Sequence, residues 1–417
     1  MNENVVIIGA GPAGLCLSLA LAARGIEVDI VERQEAEALT APAYDGREIA
    51  LTNATMRVLR ELGVWERLPA DGIAPIRQAR VMDGANPGFE VDAGAFGHDR
   101  IGVLVANHHI RSAAWQAVCG QPRIRVHCGV AVESVSTDVT QARILFADRR
   151  LLNAALLIAA DSRFSQTRRS MGIPVHMHDF GKTMVLARMR HAVANDGTAW
   201  EWFGQGHTRA LLPLGEHLSS TVLTVPGHVA QALMALSDAE FAKAIAAHYE
   251  GRLGEMELAS TRHAYPLVAT WARRFVAPRF ALAGDAAVGM HPVTAHGFNL
   301  GVASVELLAR AAGEGLQRYR DPGHPQWLAR YQRQHRAGSA VMFAGTQAVA
   351  GLFTDERAFA QPLRKLAIGA VRALPMLRRA LVAGLLDESP RPPSLVHQLG
   401  RTFEILRPRI PRSQASA

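Results

Sequence analysis

Three glycines, Gly9, Gly11 and Gly14, stand in the run Gly9-Ala10-Gly11-Pro12-Ala13-Gly14, and Glu32 follows 18 residues after the last of them. That spacing suits the binding of an adenine dinucleotide. One glycine makes a tight turn, one lets the backbone approach a pyrophosphate, and one lets a helix pack close to a strand. Glu32 is placed to accept hydrogen bonds from ribose hydroxyls, with Arg33 beside it as a further candidate contact. This chemistry needs a strand, a turn, a helix and a second strand. Val5–Ile8, four β-branched residues, reads as the first strand. Leu15, Leu19 and Ala22 share a helical stripe, and Glu27–Val31 reads as the second strand. The helix N-terminus offers free N–H groups and a positive dipole end to phosphates. These residues alone leave FAD and NAD undivided.

The chain has 417 residues, 49% apolar and 20% charged, which allows two or three domains with a real core. Disordered and collagen-like chains are excluded. The scattered Cys16, Cys119 and Cys128 make no disulfide framework or metal pair, so a reducing compartment is the expectation. Val5–Ala23 is uncharged and long enough to imitate a membrane span, but Gly9, Gly11, Pro12 and Gly14 break it, and Glu3 rather than a basic segment precedes it. A cytoplasmic protein, soluble or peripheral on the inner face of a membrane, is expected. The net charge is +8, and residues 357–412 hold eleven basic groups against three acids, which accounts for all of it. The neutral remainder offers nucleic acid no basic surface. At about 100° per residue, Leu363, Leu366, Leu374, Leu377, Leu381 and Leu385 share one line opposite Lys365, Arg372 and Arg379. Such a helix suits a membrane surface or packing on the body, with Pro375 as a kink.

Further along, Phe280–Ala283 reads as a buried strand, followed by Gly284-Asp285, then His291-Pro292 and Gly297-Phe298-Asn299-Leu300-Gly301 opening a helix through Ala312. This pattern resembles the second flavin motif of the single-component flavin aromatic hydroxylases. The resemblance implies that Asp285 binds the ribityl chain of FAD and that Pro292, Gly297, Phe298 and Asn299 lie at the isoalloxazine. A helix N-terminus there stabilises the negative charge of reduced flavin. The apolar strand Ala155–Ala160 ends in Asp161-Ser162-Arg163-Phe164-Ser165-Gln166-Thr167-Arg168, similar to the family's Asp-Gly-x-x-Ser-x-x-Arg motif, with Ser162 where glycine is usual. By the same resemblance Asp161 lies near the pyrophosphate and Arg111 reaches an FAD phosphate.

Within that superfamily the chain is similar to the ring hydroxylases of ubiquinone biosynthesis over roughly residues 5–390. Asp45-Gly46-Arg47-Glu48-Ile49-Ala50-Leu51-Thr52 is like that group's Asp-Gly-Arg-x-Ile-Ala-Leu-Ser segment, in which the arginine, here Arg47, contacts FAD. Thr198–Phe203 with Ala210–Leu214 resembles its mid-chain strand pair, and His296–Gly301 matches its Gln-Gly-Phe-Asn-Leu-Gly except at His296. The fold implied is α/β, a Rossmann-like FAD-binding domain of the p-hydroxybenzoate hydroxylase type with a smaller, mainly antiparallel β-sheet substrate domain and C-terminal helices. Residues 1–75, 103–180 and 275–345 are expected to form the discontinuous FAD domain. Residues 76–102 and 181–274 are expected to form the sheet domain, and 346–417 a basic helical segment. Short β-rich runs between Thr183 and Val225 fit this, as do the capping box Ser237-Asp238-Ala239-Glu240 with its helix to Tyr249 and a returning strand Glu257–Tyr265.

The reaction implied is hydroxylation of the ring of a polyprenylated phenol, with FAD as cofactor, O₂ as co-substrate and a C4a-hydroperoxyflavin as oxidant. NAD(P)H or a partner protein supplies electrons, since no second Gly-x-Gly-x-x-Gly remains, and a biosynthetic protein complex is a further possible partner. No acid–base residue is demanded, although His291 or Tyr265 could assist. A hydroxylase of a soluble aromatic, a flavin reductase of isoprenoid double bonds and an FAD-bearing scaffold remain open. Trp200-Glu201-Trp202 is superficially like the Trp-x-Trp of flavin halogenases, but no Ile-Pro follows and Lys182, Lys243 and Lys365 leave no lysine near residue 75–80. His108-His109, His176/His178 and His291/His296 lack metal-ligand spacing, so no metal is expected.

Overall fold

The apolar run Val5–Ala23 is cut by its glycines into a strand, Val5–Ile8, and a helix, Pro12–Ala22. Gly11 is the helix N-cap and Pro12 opens the first turn, where its missing N–H costs nothing. In this computed structural model, residues 3–83, 86–204, 207–290 and 297–354 are described. The strand pairs in parallel with Val28–Val31 on one side and Leu156–Ala159 on the other. All three are buried throughout, as strands covered on both faces must be. Phe280–Leu282 and Ile124–His127 extend this sheet, and Val276–Ala277 closes one edge. The Pro12–Ala22 helix packs between it and the helices Asn107–Cys119 and Gly297–Tyr319.

A second sheet runs in the order Val288–Gly289, His263–Ala272, Val175–His191, Leu218–Pro226, His207–Gly215, Thr198–Gly204, Gln78–Asp83 and Asn86–Asp92. Only the contact of Thr198–Gly204 with Gln78–Asp83 is parallel. Helices Gly227–Ala235 and Asp238–His248 cover one side, burying Val185, Trp202, Leu223, Phe241 and Tyr249. The capping box between Ser237 and Glu240 is formed. The 17-residue strand Val175–His191 crosses the expected boundary between residues 180 and 181, bending where its register shifts between Asp179 and Thr183.

Two elements differ from their expected extents. The returning strand divides into Met256–Leu258 and His263–Ala272, and between them Ser260 Oγ accepts from the Arg188 amide at 2.8 Å. The helix expected to end at Ala312 continues to Tyr319, through Gly313 and Gly315. Those glycines are there for close packing: a Cβ on Gly313 would lie 2.8 Å from Arg24 Cδ, and one on Gly315 would strike the Asp321 carbonyl oxygen. Pro325–Thr354 is the last described helix, so the amphipathic pattern at 363–385 lies outside the described residues. Among the described residues no helix is long and apolar enough to cross a membrane.

Candidate functional site

A cavity of about 1040 Å³ runs from the glycine loop to the inner face of the large sheet. Gly9 leaves the first strand at φ +109°, and a Cβ there would lie 2.6 Å from the Ala160 carbonyl oxygen. A Cβ on Gly14 would collide with the Gly9 carbonyl oxygen, so Gly14 sits behind the loop and sets the helix–strand distance. Gly11 is different. Its φ of −71° is open to any residue, and nothing lies within 4 Å of a Cβ built on it, because it borders the cavity.

Glu32, at the end of its strand, accepts from the Ala10 amide at 2.7 Å and the Gln34 amide at 2.9 Å. These bonds aim the carboxylate along the glycine loop, with Arg33 beside it on the cavity wall. Gln34 Oε1 also accepts from Arg111 Nη2 at 3.0 Å, which brings the arginine from the Asn107–Cys119 helix to the same mouth. Arg47 enters from the opposite side. Its Nε donates to Asp45 at 3.0 Å, and Asn107 Nδ2 donates to the same carboxylate at 2.7 Å. Those bonds hold the Asp45 carboxyl below the usual range despite the burial that opposes ionisation.

Asp161 caps the floor of the cavity with Oδ2 bound to the Thr167 amide and hydroxyl at 3.1 and 2.9 Å. Its Oδ1 is buried with no partner among the described residues. Ser162 takes φ +92°, the conformation the usual glycine would supply. Next to it, Arg163 Nη2 donates to Asp285 Oδ2 at 3.2 Å, joining the two motif loops. Arg168 braces them from behind, donating to the carbonyls of Arg163 at 3.1 Å and Ala286 at 2.9 Å.

Gly297 and Phe298, at the start of the long helix, also line the cavity. Asn299 is not among the lining residues. Its Nδ2 donates to the Ala50 carbonyl at 2.8 Å and its Oδ1 accepts from the Thr52 amide at 3.2 Å, tying the helix to the strand Glu48–Leu51. Pro292 and His291 lie outside the described residues. Tyr265 stands off the cavity, its hydroxyl donating to the Asp45 carbonyl at 2.8 Å. Among the described residues no cluster of His, Cys, Asp and Glu could hold a metal.

An orphaned buried acceptor at Asp161, an open backbone cradle at Gly11 and free lone pairs at Glu32 together fit a dinucleotide carrying hydroxylated sugars. Beyond this polar end the lining changes to Met184, Leu186, Ala210, Leu212 and Val222 of the large sheet. One ionisable side chain interrupts that wall: Glu201. Sequence reasoning passed over Glu201 as the middle of a Trp-x-Trp run. Its signal was the strand alternation, which puts it on the face opposite Trp200 and Trp202.

A family model described as FAD binding domain matches residues 2–344. The chain belongs to that family. It is 42% identical over 390 residues to ubiquinone hydroxylase UbiM of Neisseria meningitidis, covering 92% of this chain and 85% of the relative. It is 32% identical to ubiquinone hydroxylase UbiL of Rhodospirillum rubrum, covering 94% and 92%. The fold matches that of p-nitrophenol 4-monooxygenase PnpA from Pseudomonas putida with a TM-score of 0.72 at 17% identity, over 94% of this chain and 99% of that one. FAD is therefore the dinucleotide. The Gly9–Gly14 loop, Glu32, Arg111 and Asp161 would hold its adenosine and pyrophosphate end, with Asp285 and the Gly297 helix start further along the cavity.

Proposed function

We propose that the protein is an FAD-dependent monooxygenase that hydroxylates the aromatic ring of a polyprenylated phenol on the route to ubiquinone. The observation that carries this reading is one continuous cavity joining a dinucleotide loop to an apolar sheet wall, in a chain 42% identical to a ubiquinone hydroxylase. Bound FAD supplies reducing equivalents and activates O₂ for oxygen transfer. The chain's own residues do the rest. Arg111 and the Pro12–Ala22 helix start neutralise phosphate charge. Met184, Leu186, Leu212 and Val222 exclude water and give an apolar ring its place. In a strain lacking this chain and any redundant hydroxylase, ubiquinone disappears and a precursor lacking one ring oxygen accumulates, as read by mass spectrometry. Normal ubiquinone overturns the reading, whether the true substrate is a soluble aromatic or the true reaction saturates a prenyl chain.

A polyprenyl phenol resides in lipid, which supports a second part of the reading: residues 357–412, with their eleven basic groups, bring the enzyme to an anionic membrane surface. Full-length protein then co-sediments with phosphatidylglycerol vesicles and not with phosphatidylcholine ones, and a chain ending at Asp355 loses that binding while retaining FAD. Equal binding by the shortened chain sinks this part alone. A partner protein or NAD(P)H delivers electrons, and stopped-flow reduction of the bound FAD by NADPH decides between them.

A further inference from the structure

The strand Thr198–Gly204 sends alternate side chains to opposite sides of the large sheet. Trp200 and Trp202 lie on the helix-covered side, stacked with ring centroids 5.3 Å apart. Arg252 sits 4.6 Å over Trp200, and Tyr249 meets Trp202 edge-on at 5.7 Å. A slip of one residue would drive both indoles into the cavity, so this packing fixes the register. Glu201, between them, is thereby turned to the cavity.

Across the strands Glu201 is followed by Ala210, Val222 and Leu186, and the next row is Thr208, Thr224 and Met184. Small Ala210 leaves space directly beside the carboxyl. Each of the other cavity carboxylates has at least one partner: Glu48 has Arg188, Asp285 has Arg163, Glu133 has Arg149, Glu32 has two amides, and Asp161 has Thr167 on Oδ2. Glu201 has no hydrogen bond or ion pair with any described residue. A carboxyl set in this largely apolar wall without a partner is unfavourable in the free protein, and a ligand donor would relieve it.

We propose that Glu201 receives the phenolic hydroxyl of the ring substrate and takes its proton. The phenol O–H bond breaks, the proton bonds to a Glu201 carboxylate oxygen, and the electron pair stays on the phenolate oxygen. From there it enriches the ring carbons ortho and para to that oxygen, the positions an electrophilic oxygen attacks. No electrons leave the ring in this step, and the oxygen atom and reducing equivalents are those of the monooxygenase reaction. Burial pushes the Glu201 carboxyl well above the usual carboxylate range, which brings its proton affinity closer to that of a phenol and means that the ionised form, the one that takes the proton, gains population as the pH rises. The proposal rests on the ring-hydroxylase reading above.

The test uses the full-length, FAD-loaded protein with 2-prenylphenol and its methyl ether as probes. Binding is read from the flavin absorbance and ionisation from the ultraviolet phenolate band. The wild type is expected to bind the phenol at least about tenfold more tightly than the ether and to show the band. Glu201→Leu abolishes the preference with ether affinity unchanged. Glu201→Gln keeps the preference but loses the band, and after photoreduction and admission of O₂ its ring hydroxylation is slower by about 100-fold. A phenol preference that survives in Glu201→Leu overturns the proposal, as does a phenolate band in Glu201→Gln. So does a loss of stability in either variant with the phenol-to-ether ratio unmoved. If the wild type hydroxylates the phenol but never prefers it to the ether, Glu201 is excluded and the reaction class stands. If it hydroxylates no phenol, the ring-hydroxylase reading fails and this one with it.

Discussion

Glu48 and Arg188 lock the FAD-binding part to the large sheet: the Glu48 carboxylate accepts from both Nε and Nη2 of Arg188 at 2.8 Å. The glutamate side chain is only 1% exposed, and Tyr44 completes the site with its ring 4.6 Å under the guanidinium. Removing one partner leaves a buried charge uncompensated, whereas removing both need not. Arg188→Met should therefore lower the unfolding free energy by about 3 kcal/mol, and adding Glu48→Gln should restore more than half of it. Urea unfolding of the single and double variants measures both values. Equal losses in the single and the double variant would refute the coupling.

Ser162 holds φ +92° one residue after the partly orphaned Asp161. A non-glycine residue in that region is strained, and the strain exceeds the extra chain entropy that a glycine adds to the unfolded state. Ser162→Gly should raise the unfolding free energy by about 1 kcal/mol and leave FAD content unchanged. Thermal unfolding of the FAD-loaded protein provides the comparison, and a lower midpoint contradicts it.

What could be read in the sequence followed how local the physics is. The glycine loop was legible because Gly9 and Gly14 answer backbone demands set by near neighbours in chain or space, with Gly11 between them at the motif spacing. The end of the long helix was not, because Gly313 and Gly315 read as a stop until Arg24 and Asp321 are seen packed against them. Asn299 carries a task that the resemblance does not reveal. Its motif position points to flavin, yet its amide bonds Ala50 and Thr52, nearly 250 residues earlier. Glu201 was hidden for the opposite reason. Both faces of its strand are covered, so composition does not reveal which side meets a cavity.

His335 lies at 2% exposure inside the last described helix, between Phe275 at 5.2 Å and Tyr331 at 5.6 Å. Burial lowers its pKa to about 4 from 6.5. The unfolded chain therefore takes up a proton in this interval while the folded chain does not. Stability from neutral His335 is fully present above pH 6.5 and is lost as the pH falls through 4. The loss amounts to about 3 kcal/mol. Urea unfolding between pH 7 and 4 should show this slope, reduced in His335→Leu. An identical slope in the variant would assign the acid sensitivity elsewhere.

Gly11 and Gly14 are three residues apart, and alanine at each should fail in a different way. At Gly14 the new methyl meets the Gly9 carbonyl oxygen, so either the helix or the strand must move. Gly14→Ala should cost about 3 kcal/mol of stability whether or not FAD is present. At Gly11 the backbone is already extended and the methyl points into open cavity. Gly11→Ala should fold with apo stability within about 0.5 kcal/mol of the wild type, because such substitutions away from packed groups are nearly neutral. Its defect should appear in FAD affinity, weakened at least about tenfold as the methyl occupies space the pyrophosphate needs. Flavin fluorescence during titration of apoprotein, run beside urea unfolding, separates the two. Equal FAD affinity in Gly11→Ala and the wild type would mean that the pyrophosphate does not cross the loop at Gly11.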